Sequence, residues 1–269
     1  MPYNSSQISY LRFGNGPKWI VCFHGFDENA TSFAFLEKYA FAEHSFISID
    51  LPHHGDSKWN EGLDCNPSHF WDIIDGILEK SAVESIQPFP ITFLGFSLGG
   101  RIALSLYQLR PHSVDKLVLL APDGLKLNFW YWLATQTIVG NRLFSFTMRK
   151  PGWFFGLLKI LNKTGTVNSS VFKFVRFYIG DKKIRQLLYA RWTTLRSFRP
   201  SLKKIKSLII TNKTLVNLVY GKHDRIILPV RGEKFRKGIE SQSTISIIQS
   251  GHQVLHEKHI EDILPALLH

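Results

Sequence analysis

A serine between closely spaced glycines is the pattern in this sequence with the clearest chemical meaning. The segment Gly95-Phe96-Ser97-Leu98-Gly99 follows the apolar run 91–94 and precedes a helical pattern over 101–107. A sharp strand-to-helix turn holds a serine Oγ clear of the sheet, and flanking glycines leave room where β-carbons would crowd that turn. A serine hydroxyl is a weak nucleophile until a neighbouring base takes its proton. The pattern therefore predicts nucleophilic chemistry at Ser97, provided that a base and an acid accompany it.

The sequence supplies both partners in the chain order that such a triad requires, which is serine, then acid, then histidine. Asp224 follows the apolar run 215–220, which predicts a buried strand, and His252 follows a second predicted strand over 244–248. A helical pattern over 256–268 comes next. Asp224 alone could be a turn residue, and His252 is one of eleven histidines. Their common position after predicted strands, where open α/β sheets place their sites, favours a triad of Ser97, Asp224 and His252.

With these motifs the chain resembles the α/β-hydrolase superfamily, and two further segments support the resemblance. The segment His24-Gly25-Phe26 follows the apolar run 19–23, and the segment 50–57 follows the run 46–49. The first is similar to the family turn that supplies an oxyanion-hole N–H, a role that the resemblance assigns to Phe26, with Leu98 as the second donor. The second is similar to the family's D-x-P-G-H-G-x-S loop.

Within that second loop, His53 stands where the family usually has a glycine. Asp50 and His54 of the same loop are interpreted as structural residues. Asp123 is a rival for the triad acid, because it follows the predicted strand 116–120 and some members of the superfamily place their acid there. The Tyr-Gly-x-x-Asp-x-x-x-x-Pro context of Asp224 is the commoner one and favours Asp224. A serine at the turn also excludes the dehalogenase and epoxide-hydrolase branches, which carry aspartate there.

The resemblance implies an α/β-hydrolase fold, with a mostly parallel central sheet flanked by helices and an inserted all-helical cap. We expect the hydrolase core over residues 1–124 and 207–269 and the helical cap insert over 125–206. Within the insert the apolar spacing becomes helical, for example over 171–178 and 184–195, with breaks at Gly140, Pro151 and Gly180. In the family such an insert covers the nucleophile and shapes the acyl pocket.

The charge of the chain is concentrated in this insert. Residues 125–206 contain 17 Lys and Arg and one acid, Asp181, whereas the whole chain has a net charge of +12. The insert also contains 16 of the 36 aromatic residues. A field of one sign steers anions, so an acidic carrier protein, an anionic lipid surface or an anionic substrate is expected as partner. A solvated outer face for the bases, and helix packing for the aromatics, are the simpler alternatives. A nucleic acid is not expected, because no binding motif accompanies the charge.

Composition limits the remaining classes of protein. The two cysteines have no neighbouring metal ligands, so neither a disulfide framework, a metal site nor a cofactor is expected. The first residues lack a charged start followed by an apolar run, and no apolar stretch has the length of a membrane span. We therefore expect a cytoplasmic protein.

These features predict hydrolysis of a carboxylic ester or thioester with an apolar acyl group through an acyl-enzyme. The narrower resemblance is to pimeloyl-carrier methyl esterases, which also pair this core with a helical, basic cap. Lysophospholipase, thioesterase, C–C bond hydrolase, proline iminopeptidase-like peptidase and acyltransferase are alternatives on the same triad. A non-catalytic binding protein is the alternative from another class, which the complete triad disfavours, although a fold alone does not settle function.

Overall fold

A seven-stranded sheet organises the computed structural model, which describes residues 1–40, 42–81, 90–126, 128–163 and 178–268. The strands are β1 (Pro2–Tyr3), β2 (Ser6–Gln7), β3 (Tyr10–Phe13), β4 (Lys18–Phe23), β5 (His44–Ile49), β6 (Ile91–Phe96), β7 (Val114–Leu120), β8 (Leu215–Gly221) and β9 (Ser243–Ile248). The spatial order in the sheet is β3-β5-β4-β6-β7-β8-β9, and β1 pairs with β2 in a separate hairpin. Among the described strands of the seven-stranded sheet only β3 is antiparallel to its neighbour, so the predicted mostly parallel sheet is confirmed.

Helices follow most of the parallel strands. They are α1 (Pro67–Ser81), α2 (Leu98–Leu109), α3 (Phe129–Gln136), α4 (Ile138–Arg149), α5 (Gly152–Lys163), α6 (Lys182–Thr194), α7 (Leu202–Asn212), α8 (Val230–Arg236) and α9 (Ile260–Leu268). Among the residues that the structure describes, no helix combines the length and apolar character that a membrane crossing requires.

The core of the sheet is apolar on both faces, as expected for parallel strands covered by helices. Every residue of β5 is buried, and β4 and β8 are each exposed only at their first residue. Helix α2 is buried over its first ten residues, and α1 packs against it, with the Trp71 indole N–H donating to the Leu106 carbonyl at 3.0 Å. The helix that follows Ser97 is thus held rigidly in the protein interior.

The chain divides into two compact units. The larger unit comprises Met1–Glu61, Cys65–Lys126 and Ser197–His269, and the smaller unit comprises Gly62–Asp64 and Leu127–Arg196. The predicted insert, 125–206, is longer than the smaller unit at both ends. Helix α7 begins inside the predicted insert but belongs to the larger unit, because it packs on α2 and buries Ile205 and Ile209 there.

The smaller unit contains a cluster of half-buried aromatic rings. The ring of Phe144 on α4 lies 5.3 Å from Tyr189 and 5.6 Å from Trp192, both on α6. The Trp192 ring also contacts Tyr131 of α3 at 5.2 Å. The N-cap residues of helices α3, α4 and α6 are Asn128, Thr137 and Asp181, whose side chains accept hydrogen bonds from first-turn N–H groups. These aromatics therefore serve helix packing, and the predicted helical positions 171–177 lie outside the described residues.

Candidate active site

Ser97 occupies a tight turn between β6 and α2. Its backbone has φ 49° and ψ −112°, a conformation that side-chain-bearing residues adopt only under constraint. The constraint is hydrogen bonding on both sides, because Ser97 N–H donates to Leu120 O at 3.0 Å and Ser97 O accepts from Asp123 N–H at 2.8 Å. The turn therefore holds the serine hydroxyl at the C-terminal edge of the sheet.

The two flanking glycines are required by close backbone approach. A β-carbon on Gly99 would overlap the carbonyl of Phe23 at the end of β4, and one on Gly95 would lie 2.6 Å from Gly99 O. Neither obstacle is the flexible end of a side chain, so neither can move aside cheaply. The sharpness of the turn depends on glycine at both positions.

The structure brings the side chains of Ser97, Asp224 and His252 together in one hydrogen-bonded line. His252 Nε2 lies 3.0 Å from Ser97 Oγ, and His252 Nδ1 lies 2.7 Å from Asp224 Oδ2. The Asp224 side chain is fully buried, whereas 20% of the His252 side chain is exposed. With the Nδ1 proton donated to Asp224, the Nε2 lone pair faces the serine hydroxyl, which is the arrangement that a general base needs.

The loop that follows Asp224 fixes its carboxylate. Asp224 Oδ1 accepts hydrogen bonds from Ile226 N–H at 2.7 Å and Ile227 N–H at 2.9 Å, which leaves Oδ2 directed to the histidine. Burial, assisted by the charges of Asp224 and Glu233, raises the pKa of Tyr220 at the end of β8. The phenol beside the acid therefore stays neutral.

The rival acid, Asp123, has different partners. Its Oδ1 accepts from Gly124 N–H at 2.7 Å, and its Oδ2 lies 3.6 Å from Nε of Arg101 on α2. Asp123 therefore supports the turn through its own backbone and side chain, while Asp224 is the carboxylate hydrogen bonded to His252.

The two predicted oxyanion donors lie on neighbouring strand ends. Strands β4 and β6 pair in parallel with Phe23 opposite Gly95, so Phe26 and Leu98 each follow this pair by three residues at the same sheet edge. Leu98 is the first residue of α2, where helix N–H groups have no intrahelical acceptor and the helix dipole is positive. The half-buried ring of Phe26 contacts His54, with ring centres 6.1 Å apart.

The loop after β5 is held by its own acidic residue. The Asp50 carboxylate accepts from Ala30 N–H and Asp56 N–H at 2.6 and 2.9 Å, and a β-carbon on Gly55 would overlap it. His24 Nε2 accepts from the backbone N–H of Leu51 at 3.1 Å, which ties the turn after β4 to this loop. Asp50 and His24 therefore have structural roles.

His54 is buried in the same loop, with Nδ1 at 2.9 Å from Pro52 O. His53, which replaces the usual glycine of the family pattern, has φ 63°. The left-handed backbone that favours glycine is thus retained with a histidine side chain.

Two contacts at the site were not predicted from the sequence. Glu28 accepts hydrogen bonds from Gly25 N–H and from the side-chain amide of Gln253, each at 3.0 Å. The ring of Phe96 lies 5.4 Å from the His252 imidazole. Phe96 immediately precedes the serine and Gln253 immediately follows the histidine, and this adjacency is the only signal of either contact in the sequence.

No group of three or more His, Cys, Asp or Glu side chains in the described ranges is arranged to hold a metal ion. Cys22 and Cys65 are both buried free thiols, and burial raises the pKa of the Cys22 thiol well above its usual value. A buried, protonated thiol is a poor nucleophile. The arrangement of reactive groups therefore centres on Ser97.

The chain is similar to known peptidases, hydrolases and esterases. The model of the family described as serine aminopeptidase, S33, matches residues 16–259, a range that includes all three residues of the hydrogen-bonded line. The chain is 24% identical to the uncharacterized hydrolase YugF of Bacillus subtilis, over 96% of this chain and 94% of that protein. It is 27% identical to the pimeloyl-[acyl-carrier protein] methyl ester esterase of Aeromonas salmonicida, over 49% of each.

Among solved structures, a carboxylesterase structure from Nitrososphaera gargenis superimposes with a TM-score of 0.66 at 15% identity, covering 100% of this chain and 96% of that one. At this identity the similarity concerns the fold alone, and it agrees with the sheet order and flanking helices described above.

Proposed function

The chain belongs to the serine aminopeptidase S33 family and has the α/β-hydrolase fold, and from this premise we propose that it hydrolyses carboxylic esters with apolar acyl groups. The observation that carries the proposal is the line from Asp224 Oδ2 through His252 to Ser97 Oγ, with distances of 2.7 and 3.0 Å. Both are within the range over which a base can accept a proton from the group that it activates.

In the first half of the proposed reaction, Ser97 Oγ attacks the carbonyl carbon of the ester. The serine proton moves to His252 Nε2, which then donates it to the leaving alcohol as the ester bond breaks. Asp224 keeps the imidazole oriented and stabilises its positive charge. We assign the N–H groups of Phe26 and Leu98 to the developing oxyanion, a contribution of about 3 kcal/mol per donor in comparable sites.

In the second half, water replaces the alcohol. His252 takes one proton from the water as its oxygen attacks the acyl-enzyme, and it returns that proton to Ser97 Oγ as the carboxylic acid leaves. The oxyanion donors act again on the second tetrahedral intermediate. A thioester would follow the same course with a thiol as leaving group, so a thioesterase is compatible with this mechanism.

The loop after Asp224 supports an apolar acyl group. Ile226, Leu228 and Val230 are 71%, 43% and 47% exposed, although large aliphatic side chains usually gain by burial. The hydrogen bonds from this loop to Asp224 keep it next to the triad. We therefore propose that these side chains contact the acyl chain.

A peptidase is the second candidate, because the family description names one. An aminopeptidase needs a carboxylate near the nucleophile for the ammonium group of its substrate. Two acids near the turn are engaged elsewhere, since Glu28 accepts two hydrogen bonds and Asp123 pairs with Arg101. This arrangement favours an ester over a peptide with a free amino terminus.

Two further parts of the proposal concern partner and location. The one-signed charge of the insert, and the carrier-linked substrate named for the Aeromonas relative, support an acidic carrier protein as one source of substrate. A cytoplasmic location stays a prediction, with which the two free thiols are compatible.

The test is a substrate panel with one matched inactive enzyme. It contains p-nitrophenyl esters from acetate to octanoate, an acyl-carrier thioester, a lysophospholipid and prolyl p-nitroanilide, each assayed with the natural protein and with Ser97→Ala. We expect ester hydrolysis that requires Ser97 and rises with acyl length. Prolyl anilide cleavage much faster than ester cleavage would overturn the ester proposal and favour the peptidase.

A further inference from the structure

Helix α4 of the smaller unit exposes a stripe of large apolar side chains. Ile138, Val139, Leu143 and Phe146 are 74%, 78%, 52% and 49% exposed. At about 100° of rotation per residue, these four positions fall within an arc of about 140° on the helix surface. The opposite side of α4 contributes Met148 to the interior. The exposed stripe is therefore a continuous face of this helix.

Helix α5, which two residues separate from the end of α4, has a similar stripe. Trp153, Leu157 and Ile160 are exposed at spacings of four and three residues, while Leu158 is buried. Two further apolar residues, Phe129 and Trp130 of α3, are also mainly exposed. Exposure on this scale is unusual for a soluble surface and marks a site of interaction with an apolar partner.

Basic residues accompany both stripes. Arg142 and Arg149 are exposed within the same arc of α4. Lys150, which lies between α4 and α5, and Lys159, which lies on α5, are also exposed. The segment Leu127–Arg196 contains twelve Lys and Arg but one acid, Asp181. That acid caps α6 by accepting the N–H groups of Lys183 and Ile184, at 2.7 and 2.9 Å. The partner must therefore offer both an apolar phase and negative charge.

We propose that α4 and α5 bind the surface of an anionic lipid bilayer. Helices that expose Trp, Phe and Leu together with Lys or Arg lie in the headgroup region, with their apolar side chains among the upper acyl carbons. The bases then meet lipid phosphates and can extend their aliphatic stems alongside them. A second copy of this chain would satisfy the apolar side chains but would oppose two surfaces of the same charge. A soluble acidic protein such as the carrier proposed above would satisfy the charge of the insert, but it offers these two stripes no comparable apolar phase.

This inference is independent of the proposed reaction, because none of these side chains belongs to the triad. The test is co-sedimentation of the 269-residue protein with vesicles of phosphatidylcholine alone or of phosphatidylcholine with phosphatidylglycerol. We expect binding that requires the anionic lipid and weakens with salt. Neutralising a base at an anionic surface costs about fivefold in partitioning, so the Arg142→Gln and Arg149→Gln double variant should bind about 25-fold more weakly.

The apolar contribution is tested with Leu143→Ser and Phe146→Ser together, which should reduce vesicle binding at least about tenfold. Two double variants in the larger unit are the matched controls. Lys58→Gln with Lys237→Gln removes two bases, and Leu109→Ser with Ile210→Ser removes two apolar side chains. Both control proteins should bind vesicles normally. The Ser97→Ala protein should also bind normally, so loss of activity and loss of binding are separable.

Three outcomes would overturn the inference. They are an absence of binding to anionic vesicles, a dependence on charge that is unaffected by the two apolar substitutions, and a dimer in sedimentation equilibrium that those substitutions convert to a monomer. The second outcome would favour a soluble anionic partner, and the third would assign the face to self-association.

Discussion

Glu28 Oε1 accepts a hydrogen bond of 3.0 Å from Gln253 Nε2, although 225 residues separate them in the chain. The other carboxylate oxygen, Oε2, accepts from Gly25 N–H at the same distance. Because Gly25 precedes Phe26 and Gln253 follows His252, one side chain connects the turn of a proposed oxyanion donor with the loop of the proposed base. We infer that Glu28 is a positioning residue for both.

Loss of this connection should affect turnover more than substrate binding. We expect Glu28→Ala to lower kcat for p-nitrophenyl acetate by about ten- to hundredfold with little change in KM, because a small displacement of base or donor weakens the transition state specifically. Gln253→Ala, which removes one of the two hydrogen bonds, should have a smaller effect. Glu257→Ala, which removes an exposed ion pair with Lys38, is the matched control and should be silent. If Glu28→Ala also lowers the unfolding temperature substantially, the loss of kcat would indicate a merely structural role.

Ser97→Ala should abolish turnover and labelling by a fluorophosphonate probe while leaving the fold intact. The reason is that the substitution removes the hydroxyl oxygen that lies 3.0 Å from His252 Nε2. Circular dichroism and thermal unfolding of the variant provide the check on folding. Persistent labelling of the variant would show that another residue is the nucleophile.

Asp224→Asn should reduce kcat by about four orders of magnitude, because an amide favours the wrong histidine tautomer and does not stabilise the imidazolium. Asp123→Asn should cost far less, since Asp123 pairs with Arg101 rather than with the histidine. Steady-state rates of the two variants on one ester show whether Asp224 or Asp123 is the acid of the triad. A greater loss for Asp123→Asn would transfer the role of the acid to that residue.

Much of the fold could be predicted because parallel strands covered on both faces appear as mainly apolar runs. The runs 19–23, 46–49, 116–120 and 215–220 all lie within observed strands. The edge strand β3 was not predicted, since two of its four residues are exposed and no apolar run marks it. The predicted insert ends at residue 206 and the smaller unit at Arg196, because the helical spacing of Ile205 and Ile209 indicates a buried face but not the unit against which that face packs.

The sequence likewise predicts one part of the candidate site and not the other. The order of Ser97, Asp224 and His252 after successive strands is a local signal, and those residues do meet in the structure. The contacts of Glu28 with Gln253 and of Phe96 with His252 depend on how separate loops close over one another. A single sequence contains no local pattern for such closure, so only the three-dimensional arrangement reveals those contacts.

The glycines of the turn provide a prediction for stability. Gly99→Ala should destabilise the protein and abolish activity, because its β-carbon would overlap the carbonyl oxygen of Phe23. Gly156→Ala is the contrasting variant, since a β-carbon on this residue of α5 meets nothing within 4 Å. Replacing an unhindered helical glycine by alanine raises the free energy of unfolding by about 0.5–1 kcal/mol. Denaturant unfolding of both variants tests the prediction, and comparable stability of the two would contradict the proposed close approach.

Acyl-chain preference tests the role of the exposed loop after Asp224. If Ile226 contacts the acyl chain, each added methylene should raise kcat/KM by up to about fourfold until the pocket is filled, which corresponds to about 0.8 kcal/mol of apolar transfer. Ile226→Ser should reduce the ratio of octanoate to acetate hydrolysis while leaving the acetate rate nearly unchanged, because the serine retains the backbone N–H that Asp224 accepts. Ile247→Ser, at a residue of β9 that is 49% exposed, is the matched control and should preserve the ratio. A flat profile in the natural protein would mean that this loop does not bind the acyl group. A steep profile that Ile226→Ser does not alter would place the acyl contact on other residues.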